Sequence, residues 1–247
     1  MKTENKAIEY IKKGYTLINN QKVRIGSNID LEESSFIYDF IKTDRSIKKV
    51  LEIGCANGVS SLTISSALNS REGSFLTIID PHQEKMWKNA GKRILEESSF
   101  ENFKLICDFS ENILPKEKEN KYDLIFIDGW HTFDQVMLDI FYSIRLVKLN
   151  GYIIIDDADS NSVGKAISYY KKYPNIKYFE IFKRNYKNLS LKRKLANIIK
   201  YILNEFFAQI ILPKFIFDKF FYQLNPTLIL FQKIGNDERK WNYHKIF

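Results

Sequence analysis

The amino-acid sequence predicts an α/β protein with a Rossmann-like sheet of seven strands, and three observations support this prediction. The chain has 247 residues, which is enough for one sizeable domain with its own core. Apolar residues make up 45% of it and charged residues 28%, an ordinary globular composition. From about residue 48, short β-branched runs alternate with stretches of helical period, the pattern of βαβ units.

Seven runs have the length and composition of strands. They cover residues 48–54, 74–80, 103–108, 122–128, 151–157, 177–183 and 227–233. Because helical stretches separate most of these runs, we expect a mostly parallel sheet with helices on both faces. In a sheet of this type we expect the last strand to run antiparallel.

Two helices are predicted from local patterns. The segment IDLEESSFIYDFIK precedes the first strand, and Asp30 is a candidate N-cap for it. A second helix lies between the fourth and fifth strands and is expected to cover the sheet. Its apolar face consists of Phe133, Met137, Ile140, Phe141 and Ile144.

The whole chain, residues 1–247, is predicted to form a single domain. We expect an N-terminal helical region at 1–45, a Rossmann-like core at 46–184 and 226–235, and a helical insertion at 185–225 between the sixth and seventh strands. The insertion is too long for a plain loop and has helical periodicity of its own.

The sequence favours a cytoplasmic protein with free thiols. Its start lacks the apolar segment of a signal peptide, and no stretch approaches the ~18 apolar residues of a membrane span. Cys55 and Cys107 each follow a strand-like run and belong to no metal-ligand spacing, so both are predicted to be buried thiols.

Nearly all of the net charge of +8 lies in residues 183–225, which are the insertion and the two residues before it, since they contain nine basic and two acidic side chains. Residues 191–211 form an amphipathic pattern with basic residues in its gaps. We expect this segment to overhang the substrate entrance. It is then a lid, a contact in a homo-oligomer, or a peripheral contact with an anionic membrane at its inner face, and an acidic substrate or nucleic acid is the remaining alternative.

A glycine-containing turn follows the first predicted strand, as Glu52-Ile53-Gly54-Cys55-Ala56-Asn57-Gly58. Glycines let the backbone turn tightly and approach a ligand at the helix N-terminus that comes next. The spacing departs from the G-x-G-x-x-G fingerprint of nicotinamide enzymes, and a methyltransferase fits better. We therefore expect Glu52, Gly54 and Gly58 to hold the amino-acid end of a cofactor.

Two further carboxylates end neighbouring strands. Asp80 ends the second strand, where it is placed to accept two hydrogen bonds from ribose hydroxyls. Asp108 ends the third strand and is a candidate for the adenine edge. A glycine turn or an aspartate cap also follows many ordinary strands, but the combination in this order favours a cofactor crevice.

A second group of carboxylates follows the fourth and fifth strands, namely Asp128, Asp156 and Asp157. Three neighbouring negative charges repel one another unless something positive is bound, and oxygen ligands suit a hard cation such as Mg²⁺. The alternative is that Asp128 only lines the cofactor crevice while Asp156 and Asp157 cap the next segment.

Four segments resemble the successive motifs of class I S-adenosylmethionine (SAM)-dependent methyltransferases: VLEIGCANGVSSLTISSAL, TIIDPHQ, YDLIFIDGWH and NGYIIIDDAD. They are most similar to the catechol O-methyltransferase-like group and to macrocin-type sugar O-methyltransferases. The resemblance covers roughly residues 25–160 and the last strand, and excludes the insertion.

The resemblance implies roles for individual residues. It assigns Ser60 to the cofactor's carboxylate, a metal site to Asp128, Asp156 and Asp157, and proton removal to His131 together with Asp128. Catechol enzymes usually have Asn where this chain has Asp157, and lysine where it has His131, so the departures favour the sugar-modifying members. Histidine suits proton transfer near neutral pH.

The sequence thus predicts a SAM-dependent O-methyltransferase, assisted by Mg²⁺, that acts on a hydroxyl of a small molecule or sugar. RNA methylation is an alternative because the isoelectric point is near 9.2. A further alternative is a non-catalytic, membrane-associated protein that retains the fold.

Overall fold

A computed structural model of the chain describes residues 4–18, 21–25, 29–98, 100–182 and 226–244. The predicted insertion at 185–225 lies outside these ranges. Nine strands are present in the described part of the chain. They are β1 (Tyr15–Ile18), β2 (Gln21–Arg24), β3 (Lys49–Ile53), β4 (Phe75–Ile79), β5 (Phe103–Ile106), β6 (Tyr122–Ile127), β7 (Val147–Ile155), β8 (Ile176–Phe182) and β9 (Leu228–Lys233).

Seven of the strands form one sheet in the order β5-β4-β3-β6-β7-β9-β8. Neighbours from β5 to β7 are parallel, whereas β9 is antiparallel to both β7 and β8. The predicted seven-stranded, Rossmann-like sheet with an antiparallel last strand is therefore confirmed. The two-stranded hairpin of β1 and β2 was not predicted from the sequence.

Seven α-helices surround the sheet within the described ranges. They are α1 (Ala7–Lys13), α2 (Leu31–Thr43), α3 (Val59–Leu68), α4 (Ala90–Glu97), α5 (Ser110–Ile113), α6 (Phe133–Leu146) and α7 (Asn161–Tyr170). None of these helices has the length and apolar character that crossing a membrane requires.

Helix α2 begins at the predicted residue, because Asp30 and Glu33 form a reciprocal cap. The Asp30 carboxylate accepts hydrogen bonds from the backbone N–H groups of Glu32 and Glu33, both at 2.9 Å. The Glu33 carboxylate in turn accepts one from the Asp30 N–H at 2.9 Å. Such a capping box satisfies donors that the first helical turn leaves free. The helix predicted between the fourth and fifth strands is also present, as α6.

The core has two halves, one on each face of the sheet. Successive strand residues point to opposite faces, so Val50 packs with α2, α3 and α4, whereas Leu51 and Ile53 pack with α6 and α7. Both halves consist mainly of fully buried aliphatic side chains. The sheet is thus covered on both sides, and its strand ends remain for ligands.

The order of the strands reverses beside β3, which lies between β4 and β6. From β3 the chain proceeds to β4 and β5 on one side, and then returns to β6 on the other. At such a switch point the connections after the two central strands separate and leave a crevice at their carboxyl ends. The turns after β3, β4 and β6 therefore surround one region.

The two cysteines differ in burial. Cys55 is buried, as predicted, but Cys107 is exposed. The prediction for Cys107 is wrong because it follows β5, the edge strand of the sheet, where no further strand covers the chain.

Candidate active site

A cavity of about 690 Å³ lies at the carboxyl ends of the central strands. Its volume is within the range of small-molecule sites in proteins. Residues from the turns after β3, β4, β5 and β6 and from α6 line it. Among the described residues of this lining, five carry carboxylates and none is Lys or Arg: the five are Asp80, Glu111, Asp128, Asp134 and Asp139. The cavity therefore favours a neutral or cationic ligand.

Gly54 gives the turn after β3 a shape that other residues cannot adopt. Its φ is +83°, in the left-handed region, and a Cβ atom there would lie 2.1 Å from the carbonyl oxygen of Asp128. The backbones after β3 and β6 thus come into close contact at this point. This contact brings the predicted cofactor turn and the predicted acidic cluster together at one wall of the cavity.

Gly58 supports the same turn from behind. Its φ is +85°, and a Cβ there would lie 2.6 Å from the Cα of Gly91, the second residue of α4. Gly58 does not line the cavity. Its role in the structure is to let α3 and α4 pack closely.

Glu52 is a fully buried carboxyl group beneath the turn. One carboxylate oxygen accepts a hydrogen bond from the Ser61 hydroxyl at 2.5 Å, and the other, Oε1, has no hydrogen-bond partner. Burial raises the pKa of Glu52 to about 8, although hydrogen bonds from Ser60 and Ser61 oppose that shift. Such a group favours a positively charged or proton-donating neighbour.

Asp80 lines the cavity, and its carboxylate already accepts three backbone hydrogen bonds. Oδ2 accepts from the N–H groups of Cys55 and Ala56 at 3.0 and 2.9 Å, and Oδ1 accepts from His82 at 2.8 Å. These bonds fasten the turn after β3 to the end of β4. Ribose binding, predicted from the sequence, would have to use the remaining lone pairs of the same oxygens.

The structure separates the other two predicted cofactor residues from the cavity. Asp108 is partly exposed and accepts hydrogen bonds from the Phe109 N–H at 2.7 Å and the Asn112 side chain at 2.9 Å. These bonds lower its pKa. The cavity is lined instead by the next residues in sequence, Phe109 to Glu111. Ser60 is buried beside Glu52 and does not line the cavity.

Three predicted residues form a compact cluster after β6 and β7, namely Asp128, His131 and Asp157. His131 Nε2 is 3.4 Å from Asp128 Oδ1, and its Nδ1 is 3.4 Å from Asp157 Oδ2. One potential ligand atom from each residue lies within 4.8 Å of the others. The imidazole therefore stands between two carboxylates.

The pKa values of His131 and Asp128 are both raised in this cluster. The hydrogen bond to Asp128 is the main cause that raises the pKa of His131, although partial burial of the ring opposes it. Burial raises the pKa of Asp128, and His131 opposes that shift. The imidazolium form is thus stabilised by the two carboxylates it faces.

Asp156, the third predicted metal ligand, lies beside this cluster and does not belong to it. It is 6% exposed, and its Oδ1 accepts a hydrogen bond from the Asp157 N–H at 2.7 Å. Burial raises its pKa well above the usual value, and the charge of Asp128 adds to that shift. The third residue of the cluster is instead His131, which the sequence suggested as a base.

Sequence reasoning missed the histidine of an aromatic group at the mouth of the cavity. His82 lines the cavity with Phe109 and Trp130. The His82 ring centroid is 5.8 Å from that of Phe109 and 5.7 Å from that of Trp130. Trp130 is 58% exposed, so its face remains open to a ligand. No local sequence pattern joins these residues, because they come from three separate turns.

A buried carboxyl group on α6 was also missed. Asp139 is 1% exposed, lines the cavity, and accepts a hydrogen bond from the Ser110 hydroxyl at 2.6 Å. Burial raises its pKa to about 7. In the sequence Asp139 lies within the apolar pattern of α6, where its spacing alone gives an acidic residue no special role.

Comparison with known protein families gives one match, to a family described as a methyltransferase domain, over residues 51–158. This range begins in β3 and ends just after β7, so it contains the glycine turn, Asp80 and the cluster of Asp128, His131 and Asp157. No curated protein sequence matches the chain significantly.

Many solved structures share the fold at low sequence identity. The O-methyltransferase TomG of Streptomyces achromogenes, involved in tomaymycin synthesis and solved with SAM, has a TM-score of 0.63 and 12% identity over 94% of this chain and 91% of its own. An O-methyltransferase of Bacillus cereus in complex with S-adenosylhomocysteine (SAH) has a TM-score of 0.61 and 12% identity over 93% of this chain and 91% of its own. The SAH-bound methyltransferase PaMTH1 of Podospora anserina has a TM-score of 0.57 and 17% identity, covering 73% and 83%.

Proposed function

We propose that this chain, a class I methyltransferase of the SAM-dependent type, methylates a hydroxyl oxygen of a small molecule or sugar. The observation that carries the proposal is the cluster of Asp128, His131 and Asp157 beside the turn of Gly54. It combines a proton acceptor with two carboxylates, and two of its members, Asp128 and His131, line the cavity. Two similar structures are O-methyltransferases, which supports the same acceptor atom.

The residues present fit SAM. The cavity has the volume for such a ligand, and its five carboxylates suit a molecule that carries an ammonium and a sulfonium group. Gly54 admits a ligand close to the backbone, and the unpaired Oε1 of Glu52 offers a hydrogen-bonding oxygen beneath the turn. Bound SAM supplies an activated methyl group, so the protein mainly has to align the acceptor and remove its proton.

His131 is the proposed general base. Its Nε2 and Nδ1 each face a carboxylate, and these carboxylates stabilise the imidazolium that forms when the ring takes the acceptor's proton. Asp128 holds the ring from the cavity side, and Asp157 faces its other nitrogen. The exposed part of the His131 side chain, 38%, leaves room for an acceptor to approach.

We extend the proposal to a divalent cation. The carboxylates of Asp128 and Asp157 lie close enough to hold one ion beside His131, which stays free to act as the base, and buried Asp156 adds a further carboxylate nearby. A cation bound there would lower the pKa of a coordinated hydroxyl group. Carboxylate oxygens suit Mg²⁺, whereas direct ligation by the imidazole would favour a transition metal such as Mn²⁺.

A product screen tests the proposal. Purified protein and SAM labelled in the methyl group are incubated with sugars, phenols and RNA, each with and without a chelator. We expect label in a sugar or phenol ether, loss of turnover with chelator, and recovery with added Mg²⁺ or Mn²⁺. Methylation of RNA alone would contradict the acceptor class, and full turnover in excess chelator would contradict the metal.

For the basic insertion at 185–225 we propose a peripheral contact with an anionic membrane surface. The support is its sequence alone, in which basic residues alternate with an apolar face. Binding to anionic vesicles should exceed binding to neutral vesicles and should weaken with salt. Charge reversal at Lys192, Arg193 and Lys194 should release the protein from vesicles, while its affinity for SAH should be retained. Equal indifference to both kinds of vesicle would favour a lid or an oligomer contact.

A further inference from the structure

One side of the cavity is formed by Ser110, Glu111, Gln135 and Asp139, here called the α5–α6 wall. Ser110 and Glu111 begin α5, which follows β5, and Gln135 and Asp139 lie one turn apart on α6. A Cβ on Gly129 would lie 3.7 Å from Asp139 Oδ2, so the wall reaches the backbone just after Asp128. The wall thus adjoins both the edge of the sheet and its centre.

The order of the strands places this wall at the nucleoside end of the cofactor, if the proposed function holds. The cluster of Asp128, His131 and Asp157 lies at β6 and β7, and the Gly54 turn follows β3. With its methyl group facing the cluster and its amino-acid end on the turn, a bound cofactor would extend its nucleoside over β4 toward β5. The base would then meet Phe109, Ser110 and the residues of α6.

The side-chain N–H and O–H groups of Ser110 and Gln135 already donate hydrogen bonds to other residues of the wall. The Ser110 hydroxyl donates to Asp139 Oδ1 at 2.6 Å. The Gln135 amide nitrogen lies 2.8 Å from Ser110 Oγ, 3.2 Å from Glu111 Oε2 and 3.4 Å from Asp139 Oδ1. Three acceptor oxygens around one amide group fix its nitrogen toward them, and its two protons are used there.

What the side chains of the wall can still offer a ligand are acceptors. The Ser110 hydroxyl has one lone pair left, and Glu111, the Gln135 carbonyl and Asp139 Oδ2 contribute further acceptor oxygens. An exocyclic amine, as on adenine, matches such a wall. A carbonyl at the same position of the base would face acceptors and leave them unpaired, which costs affinity.

We propose that Asp139 is a specificity-determining positioning residue: it holds the Ser110 hydroxyl proton inside the wall, so that the wall accepts from a 6-amino purine and disfavours a 6-oxo purine. Asp139 acts through Ser110 and does not itself need to touch the base. The proposal rests on the proposed function, since it concerns the base of the same cofactor.

The ionised form of Asp139 enforces this orientation. Burial raises its pKa to about 7, and the negative charge of Glu111 adds to that shift, while hydrogen bonds from Ser110 and Gln135 oppose it. A protonated Asp139 would have a proton of its own to give to Ser110. The test is therefore made at pH 8.

The experiment compares the affinity of the full-length protein for SAH with its affinity for S-inosylhomocysteine, which carries a carbonyl in place of the amine. We expect the wild-type protein to prefer SAH by tenfold or more. In Asp139→Leu the Ser110 proton is free to turn toward the ligand, and the preference should fall several-fold. Asp139→Asn is the matched control, because its amide oxygen still accepts from Ser110, and it should keep the preference.

The ratio of the two affinities separates this role from a structural one, since a loosened fold would weaken both ligands alike. If Asp139→Leu does not fold, as judged by thermal unfolding, Ser110→Ala removes the acceptor that Asp139 orients and should also lower the preference. Equal wild-type affinity for both ligands, or an unchanged ratio in the Leu or Ala variant, would overturn the proposal. Failure of the wild-type protein to bind SAH at all would instead overturn the proposed function.

Discussion

The turn after β3 and the cluster after β6 and β7 lie at the same wall of the cavity and are held in different ways. The turn is fixed by backbone: a left-handed Gly54 in contact with Asp128 O, and two N–H groups bonded to Asp80. The cluster is fixed by side-chain charges, with each nitrogen of His131 at 3.4 Å from a carboxylate. Backbone contacts thus fix the proposed cofactor side, whereas the proposed acceptor side depends on the charges of its side chains.

The largest effect is expected from Gly54→Ala, which tests whether the turn depends on backbone contact. The new Cβ would lie 2.1 Å from Asp128 O with φ at +83°. Left-handed strain and overpacking together should cost roughly 2–5 kcal/mol of stability and abolish SAH binding. Urea unfolding and calorimetry measure the two effects.

Gly73→Ala is the matched control for that variant. Gly73 has φ +73°, but nothing lies within 4 Å of its Cβ position. This variant should lose only about 1 kcal/mol of stability, which is the cost of a left-handed backbone at a residue other than glycine. It should bind SAH normally. An equal loss in both variants would show that conformational strain, and not the contact with Asp128, limits the turn.

His131→Ala should affect the acceptor side alone. Removal of the proposed base should lower kcat by about 10²–10⁴-fold on an acceptor from the screen. Affinity for SAH should stay within a few-fold, because the turn is formed elsewhere. His244→Ala, at an exposed position near the chain end, is the control and should keep full turnover. Wild-type kcat in His131→Ala would remove histidine from the proposed chemistry.

A smaller effect is expected from the pH dependence of stability at Asp139. Its folded pKa of about 7 exceeds the ordinary 3.8, so the folded state retains a proton that the unfolded state releases. Stability from this group therefore falls as pH rises from about 4 to 7 and stays low above that. Asp139→Asn lacks the group, so its stability relative to the wild-type protein should rise by about 2 kcal/mol between pH 5 and pH 8. The free energy of unfolding is measured with urea. An equal difference between the variant and the wild-type protein at the two pH values would contradict this.

The smallest effect concerns the His131 imidazole itself. Nearby carboxylates raise its pKa above 6.5, so more of the ring is protonated at neutral pH than in an ordinary histidine. Asp157→Asn removes one of the two charges and should lower that pKa, as measured by NMR titration without metal. An unchanged or higher value would show that Asp157 does not act on the ring.

Parts of this site could be predicted from the sequence because they depend on contiguous residues. Asp30 and Glu33 lie within one helical turn, and the apolar spacing of α6 is visible in the chain. The turn from Glu52 to Gly58 is equally local, since left-handed backbone positions require glycine wherever the fold places them. Strand ends carry their residues to one edge of a parallel sheet, so Asp80 and Asp128 were expected near a common crevice.

Only the tertiary structure determined which polar groups form hydrogen bonds with one another. Whether Asp80 is free for ribose depends on the N–H groups of Cys55 and Ala56, and whether Asp108 reaches the cavity depends on the edge position of β5. The hydrogen bond from Ser110 to Asp139 joins two helices, and the two residues are 29 positions apart in the sequence. Hydrogen bonds and burial act through space, so the sequence determined the sheet, the turn and the presence of an acidic cluster, whereas folding selected which carboxylates face His131, the cavity or the backbone.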